Sequence, residues 1–538
     1  MLFNSYLYIL GFLPVTIAGY LVLGRFSKPW ALGWLILASV VFYGWWRPLN
    51  LLIIGPSLAV NYLLGRAILG MMADTGKARL RNTLLVIGVI FNVCFLGYFK
   101  YANFALSVAN DVGGTEFVFK NIILPLGISF ITFQKIAFLI DIAGGRIKSF
   151  TLRDFLLFVM FFPQLIAGPI VHYPETIPQF QRAETRYDPT LYAMGITLFC
   201  FGLFKKVVLA DGIAAHVTPI YSYAATGEVV TLLQGWLAAL GFTLQIYFDF
   251  SGYTDMACGA ALFFGIRLPF NFNSPLRATS IVDFWLRWHV TLTRFLTAYV
   301  FNAITLRLTR KRVVARQAML KARGSNLWAF FHLIAWPILF TMLLSGIWHG
   351  AGYTFVLWGL MHGLYLVINH AWRQYGPRPA NPAVPKSAWT VSASFLVTFL
   401  AVVVAQVVFR APDVATAVNV IKGMFGLGGV SLPGRLAAMT GLPPMRVLEG
   451  VVDVREFATA SAYTVALLAI ALLMPNTLQM MSRHDPVLQT PKQPPFIAGT
   501  RWTVYWAPNV VWMLAITGMA AISMLWLTGK SEFLYWQF

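Results

Sequence analysis

What most constrains this chain is the recurrence of apolar runs, each about as long as a bilayer is thick, joined by short loops that hold most of the charge. The runs fall at 3–23, 29–46, 49–66, 82–99, 121–142, 154–170, 190–210, 231–250, 327–347, 353–370, 389–409, 459–475 and 507–527. Roughly 20 apolar residues in a helix cross a hydrocarbon core of about 30 Å. Inside that core every backbone polar group needs an internal partner, which leaves helices or a closed barrel. The runs are too long for barrel strands, so the expected fold is an all-α polytopic membrane protein. It should hold about eleven to thirteen transmembrane or re-entrant helices, some shortened where Pro and Gly interrupt them.

Charge supports this reading. Only 11% of the 538 residues are charged, against about 25% in soluble domains. The net charge of +21 does not point to nucleic acid, because the cations sit in short loops, the positive-inside pattern. Arg25 and Lys28 follow the first run; Arg66, Lys77, Arg79 and Arg81 follow the third; Arg146, Lys148 and Arg153 follow the fifth. The densest cluster, Arg307, Arg310, Lys311, Arg312, Arg316, Lys321 and Arg323, contains no acid. Arg373, Arg378 and Lys386 come next, then Arg483, Lys492 and Arg501. Placing all of these in the cytoplasm puts both termini outside. The first 24 residues carry no charge, so the basic start of a signal peptide is missing and the first run is expected to stay as a helix. No linker argues for a second domain, and 1–538 is expected to form one integral membrane unit. Cys94, Cys200 and Cys258 have neither metal nor redox spacing.

Ionisable side chains at membrane depth are costly and mark functional positions by default. His349, His362 and His370 lie in the apolar stretch 341–370. His349 stands between Trp348 and Gly350, with Ala351 and Gly352 following, small residues that let other groups come close. A neutral histidine hydrogen-bonded between packed helices is the plainer reading, and it suits His362 and His370 better than His349. A second polar set lies in QIYFDFSGYTDM (245–256), where Asp249, Ser251, Tyr253 and Asp255 sit among apolar residues. Buried carboxylates need partners, so a polar network is expected. PFNFNSP (269–275) supplies Asn271, Asn273 and Ser274 in a turn-rich stretch suited to a cavity wall. In DFWLRWHVTL (283–292), Asp283 and Arg287 are four apart, the spacing of a same-face salt bridge. His289 precedes Arg307 by 18 residues and is therefore expected near the cytoplasmic side, at a different depth from His349. Arg307, Arg310, Lys311 and Arg312 either attract a phosphorylated donor or serve as topology signal alone. Buried polar groups among many helices also suit a transporter or a non-catalytic scaffold. A transporter would favour inverted repeats, and none is apparent.

Taken together, QIYFDFSGYTDM, PFNFNSP, DFWLRWHVTL and SGIWHGAGYTFVLWGLMHG (345–363) resemble the membrane-bound O-acyltransferase (MBOAT) family, in its bacterial AlgI- and DltB-like branch. LGYFKYANF (96–104), LPLGISFITFQ (124–134), FFPQLIAGPIVHY (161–173) and VVFRA (407–411) match as well. The likeness runs through residues 1–411 and leaves C-terminal helices at 412–530 and an aromatic motif at 531–538. It implies a ring of helices around a central catalytic tunnel, with His349 as the catalytic histidine and His289 as a second polar residue lining it. Asp249, Ser251, Tyr253, Asp255, Asn273, Asp283, Arg287, Trp348 and His362 would line or support that tunnel. One departure is local: the AlgI-like pattern runs Trp-Leu-Arg-Asp-Tyr where this chain reads Phe295-Leu-Thr-Ala-Tyr299, so Thr297 and Ala298 replace a charged pair. The terminal Glu532-Phe-Leu-Tyr-Trp-Gln-Phe538 resembles the C-terminal motif of DltX, the small partner of DltB. That makes Tyr535 a candidate acyl relay, with an aromatic interface anchor as the alternative.

The function this resemblance implies is a multi-pass O-acyltransferase of the bacterial inner membrane. It would move acetyl from cytoplasmic acetyl-CoA, used as a substrate, towards an exopolysaccharide. The acceptor outside would be the polymer or a periplasmic acetyltransferase; no bound cofactor, metal or nucleic acid is implied. His349 would act as general base. His289 would orient the thioester carbonyl or stabilise developing negative charge. A D-alanyl or longer acyl donor is the alternative within the family.

Overall fold

The computed structural model describes residues 1–119, 122–377, 387–493, 496–527 and Leu534. Arg378, Lys386 and Tyr535 lie outside the described residues. The described residues are mostly helical, and among them one two-residue antiparallel pair forms, Arg446–Val447 against Gly450–Val451. Among the described residues, seven helical stretches are long and apolar enough to cross a membrane. They are Leu7–Phe26, Leu49–Gly70, Thr75–Gly113, Pro189–Ala225, Leu327–His349, Ala388–Arg410 and Val454–Leu473. Shorter apolar helices run over Lys28–Gly44, Val414–Met424 and Val510–Leu525. This is a multi-pass all-α membrane protein, as the apolar pattern requires.

The expected run 154–170 is not one continuous helix. Over 154–170 the Leu152–Met160 helix stops, Phe161 turns away (φ −55°, ψ 112°) and a single turn, Phe162–Leu165, follows. Pro163, Gly168 and Pro169 explain the break, since Pro removes a donor and clashes with the preceding turn. Irregular backbone is tolerated at membrane depth only inside protein, and residues 159–171 are all buried. The Ser39 hydroxyl accepts from the Phe162 N–H at 3.1 Å, and the Thr291 hydroxyl accepts from the Ile170 N–H at 3.0 Å. The second bond ties this segment to the Val290–Leu296 helix that follows His289.

Two long helices form the packing centre. Pro189–Phe204 lies against Leu232–Leu262, whose residues from Phe242 to Leu262 are all buried. Their backbones touch at glycines spaced seven apart on each helix. A Cβ at Gly202 would stand 2.4 Å from the Gly252 carbonyl oxygen, and one at Gly259 would stand 2.6 Å from that of Gly195. Small residues at such crossings let helices approach closely where lipid offers no hydrophobic drive for association.

Among the described residues five helical stretches contain π-turns, three of them at Gly97–Tyr101, Lys205–Ala210 and Thr297–Phe301. Such widened turns are rare and gather at functional sites. Here those three carry Lys100, Lys206 and Tyr299, each of which bonds to a distant part of the chain. Because Gly252 faces backbone, Gly252→Leu should destabilise the protein by about 3 kcal/mol or more through overpacking. Gly55→Leu, at a glycine whose added Cβ would meet nothing within 4 Å, should leave it near wild type. Thermal unfolding of the detergent-solubilised variants makes the comparison, and equal midpoints would contradict the backbone contact.

Candidate active site

His349 is the last residue of the Trp336–His349 helix. Gly350 and Gly352 that follow are extended and return the chain into the Tyr353–Tyr375 helix. The two helices meet backbone to backbone: a Cβ at Gly346 would lie 2.2 Å from the Phe355 carbonyl oxygen, and one at Gly359 would lie 2.5 Å from that of Met342. Gly350 lies under the Phe355 ring, 2.1 Å from where its Cβ would be. This tight turn buries His349 to 4% exposure. Its imidazole stands against the rings of Trp348, Trp358 and Phe409, with centroids at 4.9, 5.0 and 5.4 Å.

His289 comes to the same place. Its ring lies 6.3 Å from that of His349 and 4.7 Å from Phe250. The expectation that the two histidines stand at different depths is therefore overturned. The 18 residues from His289 to Arg307 are short as a loop. They are helical here, however, continuing to Val314, and 18 helical residues rise about 27 Å, nearly the depth of a bilayer core. His289 is also left-handed, with φ 43° and ψ 51°, at the start of the Val290–Leu296 helix. Such a backbone in a non-glycine residue costs about 1–3 kcal/mol and persists only where its surroundings impose it. Here they do. Asn271 Oδ1 stands 3.3 Å from His289 Nδ1 and accepts from the Thr291 hydroxyl at 2.6 Å. The Asn271 carbonyl accepts from the Val290 N–H at 3.0 Å.

Two cavities open along the Trp336–His349 helix, and His349 borders the first of them. A cavity of about 220 Å³ at its C-terminal end is lined by Lys100, Gly127, Ser129, Phe130, Trp348 and His349. Earlier on the helix, Thr341 and Met342 line one of about 260 Å³ with Trp285, Thr293, Thr297 and His370. Trp285, Thr293 and Thr297 also border a third, of about 500 Å³, with His172, Glu175 and Arg294. Beside it runs a hydrogen-bonded chain: His172 Nδ1 lies 3.0 Å from the Tyr299 hydroxyl, which donates to both Asp141 carboxylate oxygens at 3.0 Å. Arg146 pairs with Asp141 at 3.1 Å, and Arg294 pairs with Glu175. Thr297 and Ala298 line this third cavity. Two ion pairs from elsewhere in the chain, Asp141–Arg146 and Glu175–Arg294, line the same cavity.

The expected polar network of 245–256 exists, but it faces away from these cavities. Lys206 bridges Asp249 at 2.7 Å and Asp211 at 2.6 Å, and Lys205 pairs with Asp255 at 2.6 Å. Tyr253 stacks on Phe3 at 4.9 Å, and Ser251 is buried on the same helix. Asn273 and Ser274 accept from the Asn476 amide at 3.0 and 2.9 Å. Asp283 and Arg287 form the expected bridge at 2.8 Å. His362 is fully buried and accepts from the Trp285 indole N–H at 3.3 Å, a packing position. Arg312 is spent on the Ala318 carbonyl, while Arg307, Arg310 and Lys311 are exposed; none of the four borders the cavities above. Tyr535 lies outside the described residues, but its neighbour Leu534 is buried and donates its N–H to Asp249 Oδ2 at 3.2 Å.

Several participants were not singled out from sequence: Lys100, Lys206, Thr291, Trp358 and Phe409. For Lys100 and Lys206 a signal was present, since each is a lysine in or beside an apolar run. Nothing local marks Phe409 or Thr291, which reach the site only through folding. Among the described residues, no group of three His, Cys, Asp or Glu side chains could hold a metal ion.

A helical membrane protein with a buried imidazole, His349, bordering a cavity and a second, His289, beside it has the make-up of an intramembrane enzyme. The model of the membrane-bound O-acyltransferase family matches residues 83–320. The peptidoglycan O-acetyltransferase of Helicobacter pylori is 38% identical over 461 residues, covering 80% of this chain and 81% of that protein. The probable alginate O-acetylase AlgI of Pseudomonas aeruginosa is 33% identical over 562 residues, covering both chains completely. The teichoic acid D-alanyltransferase of Bacillus subtilis is 29% identical over 282 residues, 52% of this chain and 67% of that one. This chain belongs to the membrane-bound O-acyltransferase family and is an O-acyltransferase, which sets aside the transporter and scaffold alternatives.

The Lys206 bridge gives a stability test. Removing one partner of a buried ion pair costs about 3–5 kcal/mol, so Lys206→Met should lower the unfolding midpoint sharply. Lys206→Met combined with Asp249→Leu should regain part of the loss. A single variant as stable as wild type would show that the bridge contributes nothing.

Proposed function

We propose that this protein transfers acetyl from cytoplasmic acetyl-CoA across the inner membrane for O-acetylation of a bacterial polysaccharide. The observation that carries the reading is the buried His289–His349 pair, 6.3 Å apart, with a cavity at His349 and a second cavity earlier along the same helix. The names of the Helicobacter pylori and Pseudomonas aeruginosa relatives, a peptidoglycan O-acetyltransferase and a probable alginate O-acetylase, support acetyl as the group and a polysaccharide as its destination. The thioester enters from the cavities bordered by Trp285 and Thr293, and the acceptor hydroxyl enters from the cavity at His349. His349 takes the hydroxyl proton as the oxygen attacks the thioester carbonyl. Imidazole suits this because its ordinary pKa, about 6.5, lies near working pH. Aromatic walls exclude water and raise the strength of every electrostatic contact inside. His289, held by Asn271, orients the carbonyl or stabilises the oxyanion. The coenzyme A thiolate leaves on the side from which the thioester came.

Tyr535 is the proposed first acceptor. A phenol ionises near pH 10, well below a sugar hydroxyl, and its ester keeps a good leaving group for onward transfer to a periplasmic partner or the polymer. The buried Leu534 and its bond to Asp249 support this, because Asp249 precedes Phe250, whose ring edges onto His289. The Bacillus subtilis relative favours a second reading, a D-alanyl donor; labelling with radioactive acetyl and D-alanyl donors separates the two.

His349→Ala should lower polymer acetylation by about 10²–10⁴-fold, the usual contribution of positioned proton transfer. Acetyl content of the secreted polymer reports this, with protein level as control, and unchanged acetylation would sink the assignment. Mass spectrometry of the C-terminal peptide should find acylated Tyr535. A Tyr535→Phe variant that acetylates fully would rule out the relay.

A further inference from the structure

Lys100 has no place in the mechanism above, yet it stands at the catalytic turn. It lies in the π-turn Gly97–Tyr101 that continues the Ala78–Leu96 helix. Its ammonium donates to the Trp348 carbonyl at 2.6 Å and to the His349 carbonyl at 2.9 Å. The adjacent Tyr101 hydroxyl donates to the Ile347 carbonyl at 2.8 Å. Three successive carbonyls at the end of the His349 helix are therefore bound by one short segment of another helix. The last carbonyls of any helix lack intrahelical partners, and a left-handed glycine often closes such an end. That solution is absent here, since Gly350 is extended, with φ −158° and ψ 156°.

The cap is also more than a neutral donor requires. Bringing an ammonium into a membrane protein carries a desolvation cost, and a hydroxyl such as that of Tyr101 would satisfy a carbonyl without it. A cation adds two things. It makes charge-assisted hydrogen bonds, roughly twice as strong as neutral ones, and it complements the negative end of the helix dipole. Lys100 also borders the same cavity as His349, and no acid borders it. The side chain thus holds the backbone of His349, a residue that borders the cavity.

We propose that Lys100 is the positioning residue for His349, clamping the last two carbonyls of its helix so that the imidazole keeps its aim into the cavity. This rests on His349 as the reacting base, and the experiment keeps the two ideas apart. Full-length protein in membranes is compared as wild type, Lys100→Arg, Lys100→Gln, Lys100→Met and His349→Ala. The first readout needs no substrate: the rate at which diethyl pyrocarbonate modifies His349, followed by peptide mass spectrometry. Lys100→Met should change that rate severalfold, and Lys100→Arg should restore it. The second readout is transfer from acetyl-CoA, where Lys100→Met should lower kcat by about 10²-fold with KM for the donor unchanged, the penalty expected of a misplaced group. Lys100→Gln should fall between Met and Arg, so the comparison survives if Lys100→Met does not accumulate. Equal modification rates in wild type and the neutral variants would overturn the proposal, as would a wild-type kcat in Lys100→Gln. If His349→Ala keeps full activity while Lys100→Met still alters labelling, positioning stands and the general-base role of His349 falls.

Discussion

The structure depends on the satisfaction of backbone polar groups where water is absent. Most of the chain meets this demand by staying helical. Two segments that do not run as long helices, 161–172 and 266–289, are linked through Thr291. The Ile170 N–H bonds to Thr291, Thr291 bonds to Asn271, and Asn271 holds His289. The left-handed backbone of His289 is stabilised by these bonds. An irregular stretch at membrane depth is costly in lipid but useful in protein, because it can aim a side chain that a regular helix would turn away.

Close approach of helices is the second organising device. Lipid gives helices no hydrophobic reason to associate, so contact area and backbone proximity have to hold them. Glycines at Gly195, Gly202, Gly252 and Gly259 bring two long helices together, and Gly346 and Gly359 do the same for the hairpin that carries His349. With the scaffold rigid at those points, the space between helices is left as small cavities beside the histidine pair. The charged network of Lys206, Asp249 and Asp211 lies on another face of the same long helix. Lys206 pairs with both acids there, and Asp249 also accepts the Leu534 N–H, tying Leu534 to the helix that supports His289.

Much of this was legible in the residues. Apolar runs fall where helices form, with one exception at 154–170, where Pro163, Gly168 and Pro169 announced a break that run length alone hides. His349 and His289 stood out because ionisable groups are scarce in apolar surroundings. The error in depth for His289 came from treating sequence separation as distance: the same 18 residues mean a short loop or nearly a bilayer's thickness, according to conformation. The roles of Asp249 and Asp255 were half legible, since their need for partners followed from burial, but Lys205 and Lys206 lie some fifty residues away.

The sequence by itself determined that this is a helical membrane protein with rare buried imidazoles, because hydrocarbon admits few backbone arrangements and penalises every buried ionisable group. Motif likeness pointed to its family, and comparison with relatives established it. Tertiary structure alone decided which imidazoles meet, which acids are paired, and that a lysine from a distant helix end holds the turn at His349. Those outcomes depend on how helices cross and where their ends fall, and single-residue chemistry carries no record of either.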